Sequence, residues 1–150
     1  MISRVADPDM KYEFPAVLKS PKRNGIEVHF PDIPGLRITA PTKCSIRAYA
    51  QSALAQALSD RLMNRQPMPS PSPCKKDHLR VPVPLLLASK LALVRAMQAQ
   101  QLSNVTLAKR LGVTEAIVRR LINPNHSSKI EKVEEALHSV GITVRMEDAI

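Results

Sequence analysis

Aromatic side chains are nearly missing from this chain, which has no tryptophan, two phenylalanines and two tyrosines among 150 residues. Its core must therefore be aliphatic, and a 44% hydrophobic composition is ample for one domain or two small ones. Cysteine is equally scarce. Cys44 and Cys74 stand far apart, without CxxC spacing or histidine neighbours, which excludes a disulfide framework or a zinc site and points to reduced thiols in the cytoplasm. The longest apolar run, Leu85 to Ala88, is far short of the roughly 20 residues that cross a bilayer. The leader MISRVADPDM has no apolar stretch, so it is not read as a secretory signal, and the ordered fold is expected to begin near Met10 or Lys11. Acidic residues are in deficit, 13 against 22 lysines and arginines. The resulting net charge of +9 favours an anionic partner such as nucleic acid, without excluding an anionic membrane.

Proline is abundant, and its placement organises the chain. In Gln66 to Pro84, QPMPSPSPCKKDHLRVPVP, it recurs at positions 67, 69, 71, 73, 82 and 84. Such a stretch cannot be helical and reads as an extended, semi-rigid spacer between two modules. Its end can be a short strand, because Leu79, Val81 and Val83 alternate with polar residues or proline; the prolines would place that strand at an edge.

Ahead of the spacer the period is two. Tyr12, Phe14, Ala16 and Leu18 mark one buried face, and Ile26, Val28 and Phe30 mark another after the turn Pro21 to Gly25. After PDIPG (Pro31 to Gly35), Leu36, Ile38 and Ala40 give a third strand. Thr42 or Ser45 can cap the helix that follows, whose stripe is Ile46, Tyr49, Ala50, Ala53, Leu54, Ala57, Leu58 and Leu62. The expected module is a sheet covered by one helix, β-β-β-α(-β), in an α+β protein.

Beyond the spacer the pattern is helical. Leu87, Leu91 and Val94 line a helix ending near Gln100, and Ser103 or Asn104 caps the next. Ile130, Val133, Leu137 and Val140 line a last helix, capped by Ser127 or Ser128 with Glu131 and stopped by Gly141. The tail from Ile142 to Met146 alternates like a strand that could add to a partner.

The most specific segment is Asn104 to Asn123, NVTLAKRLGVTEAIVRRLIN. Leu107, Ala108 and Leu111 give one helix a buried face, and Gly112 permits the left-handed backbone of a tight corner plugged by Val113. Val118 and Leu121 seat the second helix against the first. This is the spacing of a helix-turn-helix. Its reading face would be Thr114, Glu115, Ala116, Arg119, Arg120 and Asn123, with Lys109 and Arg110 beside it. Charge is concentrated here: from Ser89 to Asn123 there are six basic residues (Lys90, Arg95, Lys109, Arg110, Arg119, Arg120) against Glu115 alone. Ile117 falls where the exposed and buried sides meet and suits a dimer contact. One small reader binds weakly, so a homodimer or higher oligomer on two half-sites is expected.

Catalytic chemistry has little support. His29, His78, His126 and His138 are scattered and no nucleophile stands beside them; His126 is read as pinning the loop after Asn123-Pro124-Asn125. The first module is similar in element order to part of a ribonuclease H-like fold. Of its carboxylates, Glu13 and Glu27 belong on solvent-facing strand positions, Asp32 serves the PDIPG turn and Asp60 lies late on the helix. Neither an enzyme nor a cofactor or metal is expected.

The turn and FPDIPG (Phe30 to Gly35), the sheet-covering helix, the proline-rich link, VPVPLLLASKLAL (Val81 to Leu93) and LSNVTLAKRLGVTEAIVRRLINPNHSSKIEKVEEAL (Leu102 to Leu137) together resemble HicB-type antitoxins. The resemblance implies that residues 11–66 form a degenerate ribonuclease H-like domain that binds a HicA-type mRNA-cleaving toxin. Residues 67–84 would be the linker, and residues 85–141 a helix-turn-helix domain binding the operon's own operator as a repressor, followed by a tail over 142–150. The alternatives are a stand-alone transcriptional regulator of the same fold and a ribonuclease H-like nuclease.

Overall fold

The structure, a computed structural model, describes residues 11–23 and 25–148. The expectation about the first ten residues lies outside them. The chain is α+β and divides into two compact units, the first Lys11–Pro84 and the second comprising the described residues from Leu85 onward.

In the first unit the alternating segments form β1 (Glu13–Lys22), β2 (Gly25–His29) and β3 (Arg37–Ala40), followed by α1 (Ile46–Met63) and β4 (Leu79–Pro82). All pairings are antiparallel, in the order β3-β2-β1-β4. β1 is long enough to serve two neighbours: Glu13 to Ala16 pair with Pro82 to Leu79, and Val17 to Lys19 pair with His29 to Glu27. The register shifts between Lys19 and Lys22, so the strand runs on to Lys22 instead of turning at Pro21. Gly25 is obligatory, since its φ is +129° and a Cβ there would stand 2.2 Å from the Ala40 carbonyl oxygen of β3.

Phe14, Ala16, Val28, Ala40 and Val81 of the sheet and Ile46, Ala50, Leu54 and Leu58 of α1 are buried. Period two on the strands and helical spacing on α1 thus meet in one aliphatic layer. Three expected positions differ. Leu18 is 43% exposed because β1 has lost its β4 neighbour by that point and the sheet has narrowed. Tyr49 lies outside the buried stripe of α1. Glu27, expected in solvent, is buried, with Arg37 lying across it at 4.0 Å. Thr42 and Ser45 cap one another around a single 3-10 turn (Lys43–Ser45): the Thr42 N–H donates to Ser45 Oγ (3.2 Å) and Ser45 Oγ donates back to the Thr42 carbonyl (2.9 Å).

The proline-rich stretch belongs to this unit. Asp32 accepts from the Ser72 N–H (2.7 Å) and from its hydroxyl, and Arg61 donates to the Pro67 carbonyl (3.1 Å). Past Lys76 it becomes β4, whose Pro82 carbonyl accepts from Gln51 of α1 (3.1 Å), while the Val83 N–H reaches the Tyr12 carbonyl (2.8 Å). Proline denies helix to this stretch but does not prevent its few free donors and acceptors from binding the sheet and helix beside it.

The second unit is helical: α2 (Leu85–Ala99), α3 (Asn104–Leu111), α4 (Glu115–Ile122) and α5 (Ile130–Ser139). α2 is buried continuously from Leu87 to Leu93, on more than the one face expected from Leu87, Leu91 and Val94, and Val94 itself is half-buried. Leu107, Val118, Leu121, Val133, Ala136 and Leu137 complete the core. Ser103 caps α3, its hydroxyl accepting from the Thr106 N–H (3.1 Å). Ser103→Ala should lower the stability of this unit by about 1 kcal/mol, measurable as a shift in its thermal transition. At α5 the expected cap is absent: Lys129 occupies the capping position without a side-chain bond, and Ser128 is used elsewhere. The described tail, residues 142–148, forms no strand; its only backbone–backbone bond runs from Ile142 N–H to the Leu137 carbonyl.

Candidate nucleic-acid interface

A corner of two short helices dominates the second unit's chemistry. α3 ends at Gly112, whose φ of +69° lies in the left-handed region, and the Val113 N–H closes back on the Ala108 carbonyl at 3.0 Å. Ala108, 5% exposed, is small where α3 meets α4. Thr114 then caps α4, its hydroxyl accepting from the Ile117 N–H at 3.4 Å. The orientation of α4 is thereby fixed: Val118 and Leu121 are buried against α3, so Glu115, Ala116, Arg119 and Arg120 face solvent on the opposite side.

Each residue expected on the reading face can now be placed. Arg119 and Arg120 are exposed, and neither guanidinium has a protein partner at hydrogen-bond or ion-pair distance among the described residues. Lys109 is exposed on α3. Arg110 is also exposed, but donates to the Ser139 carbonyl (3.1 Å), closing the last turn of α5. Thr114 spends its hydroxyl on the cap. Asn123 is half-buried, and its Oδ1 accepts from the Asn125 N–H (2.9 Å), holding the Asn123-Pro124-Asn125 turn and leaving its amide NH2 as the part able to meet a ligand. Such a surface offers two arginines in the last turn of a short helix and a hydrogen-bonded loop at its end. It can form bidentate bonds to guanine edges or to phosphates.

Lys90 was counted with the basic residues of the reader, yet it is fully buried. The three N–H groups of its ammonium are shared among four acceptors, the carbonyls of Arg120 (3.2 Å), Asn123 (2.7 Å) and His126 (2.6 Å) and Ser128 Oγ (2.9 Å). It supplies a positive charge at the C-terminal end of α4, where the helix dipole favours one. Burial lowers its pKa from the ordinary lysine value, while the four oxygens around it act in the opposite sense. His126 Nδ1 lies 2.9 Å from Ser128 Oγ, which links these two residues of the loop after α4. The sequence did carry a signal for Lys90: it is the one charged residue in the run Val83 to Val94. A lone charge within a continuously apolar helix must find internal partners.

Four carboxylates of the first unit have structural partners. Glu13 faces Arg80 (4.0 Å), Glu27 faces Arg37, Asp32 holds Ser72 and Asp60 accepts from Gln56 (2.8 Å). No helix among the described residues is long and apolar enough to cross a membrane.

Residues 13–92 match the family described as HicB_like antitoxin of bacterial toxin-antitoxin system. The chain is 31% identical to Antitoxin HicB 1 of Photorhabdus laumondii over 128 residues, 85% of this chain and 81% of that protein. It is 34% identical to Antitoxin HicB 2 of the same organism over 117 residues, 78% and 83% of the two chains. With Antitoxin HicB of Escherichia coli K12 it shares 30% identity over 128 residues, 85% of this chain and 93% of the other.

Proposed function

We propose, from the premise that this chain belongs to the HicB-like antitoxin family, that it neutralises a HicA-type mRNA-cleaving toxin with its first unit and represses its own operon by binding operator DNA with its second. Antitoxin function follows from the family; the presence of two units supports the division of labour. Residues 11–84 carry the sheet and helix that would cover the toxin, and α3 and α4 form the reader.

The observation that carries the DNA arm is the exposure of Arg119 and Arg120 on a helix whose other side is locked by Val118 and Leu121. A helix held in this way presents its arginines at low entropic cost, which is what major-groove readout requires. A homodimer would set two such helices on half-sites about one helical turn of DNA apart.

Arg119→Ala and Arg120→Ala are each expected to weaken operator binding by about 1–3 kcal/mol, with a reduced salt slope where the lost partner is a phosphate. Electrophoretic mobility shifts on the DNA upstream of the operon test this; full affinity in both variants would remove α4 as the reader. Co-purification with the product of a short neighbouring gene tests the toxin arm. A chain with no such neighbour, yet binding DNA, would instead be a stand-alone regulator.

A further inference from the structure

Two features of the second unit lack a counterpart within it. One is a cleft of about 270 Å³ between α4, the loop after it and the first half of α5. Its floor is apolar, formed by Leu111, Val113 and Leu121, with Ile117 at its edge and 39% exposed. Its rim is basic, carrying Arg120, Lys129 and Lys132, with Glu135 as the acidic member. The N-terminus of α5 opens onto the same rim without a side-chain cap, adding partial positive charge. The other feature is the tail. Val144 is 42% exposed and Met146 79% exposed, and the acidic pair Glu147 and Asp148 follows.

We infer that the cleft beside the recognition helix receives the tail of a second copy of this chain, and that this exchange builds the dimer. Cleft and tail are complementary in both respects that matter. Val144 and Met146 meet an apolar floor, and Glu147 and Asp148, which outnumber the tail's Arg145, meet Lys129, Lys132 and the uncapped helix start. Each chain's own tail departs from the opposite end of α5, past Gly141 at φ +85°, and leaves Met146 in solvent. A reciprocal exchange satisfies both copies at once, giving a two-fold contact with the same surfaces on each side. Ile117, between the DNA-facing and buried sides of α4, is thereby covered.

This inference rests on the dimeric reading of the operator-binding unit, and one experiment separates the two. A photoreactive benzophenone amino acid replaces Met146 in the full chain, and equal amounts of ¹⁴N- and ¹⁵N-labelled protein are mixed before irradiation. Mixed-isotope cross-links from position 146 to residues 111–135 are expected. Cross-links confined to one chain, directed elsewhere, formed only with a co-purified toxin, or absent altogether would overturn the exchange. A chain that sediments as a monomer at all concentrations would overturn the dimer as well, whereas a dimer without these cross-links defeats the exchange alone. Lys132→Glu should weaken dimerisation about tenfold, and adding Glu147→Lys in the same chain should restore it. The Lys132–Glu135 pair within the helix (3.7 Å) is well exposed, so its loss leaves the fold intact. Absence of restoration would equally overturn the proposal.

Discussion

Lys90→Met is expected to unfold most of the second unit and to abolish operator binding. The substitution keeps nearly the same volume and removes the donor group. Three carbonyl oxygens and one hydroxyl then lose their common partner, and these groups end α4 and form the loop that follows. Each carbonyl keeps a second donor, the Asn123 N–H and Ser128 Oγ on that of Arg120, the His126 N–H on that of Asn123 and the Ser128 N–H on that of His126. What is lost is therefore a set of charge-assisted bonds worth about 1.5–3 kcal/mol each. Even with partial access of water, a net loss of about 3–5 kcal/mol is expected, comparable to the whole stability of a small helical unit. The check is a thermal melt followed by circular dichroism, alongside a mobility shift. Toxin neutralisation should persist in the variant, since residues 11–84 keep all their bonds. A melting curve within about 1 kcal/mol of the parent would show that the Lys90 bonds are replaceable by water, and the account of α4 positioning would fall.

Ending the chain at Gln66 should abolish toxin neutralisation, whereas ending it at Pro84 should preserve it. The sequence places the module boundary at residue 66, where the prolines begin. The structure places the following eighteen residues in the same unit, and the reason is energetic. β4 supplies the whole ladder along Glu13 to Ala16, buries Val81 and Val83 and accepts the Gln51 bond. Two buried valines contribute about 1.5–3 kcal/mol each, to which the lost ladder must be added. Without β4, Phe14 and Ala16 would lie on an open edge, exposed to water and to other strands. Co-expression with the toxin, with circular dichroism of both fragments, decides the matter. A folded, protective fragment ending at residue 66 would show that β4 is dispensable.

Much of this was legible in the chain. The reader's corner is specified by neighbours: Ala108, Gly112, Thr114, Val118 and Leu121 lie within fourteen residues, and each acts through backbone geometry or helical spacing. The strands of the first unit and the stripe on α1 were equally plain, because burial of one face imposes a period on the sequence. The same rules misplaced Leu18 and Glu27, whose burial depends on where neighbouring strands begin and end. They also assigned Ser128 to the cap of α5, because serine before a helix normally serves there. In the fold, Ser128 instead meets Lys90, 38 residues away.

What the sequence determined by itself was therefore the local grammar: which segments are strands or helices, where the tight corner falls and which arginines face outward. These follow from interactions between residues a few positions apart, which any stretch of chain carries with it. Only the tertiary structure decided that Lys90 is an internal tie instead of a reader, that Asp32 fastens Ser72 across 40 residues, and that the proline-rich stretch completes the sheet. Polar groups find partners wherever the packed chain leaves an unpaired donor or acceptor, and that location is fixed only when distant segments have come together.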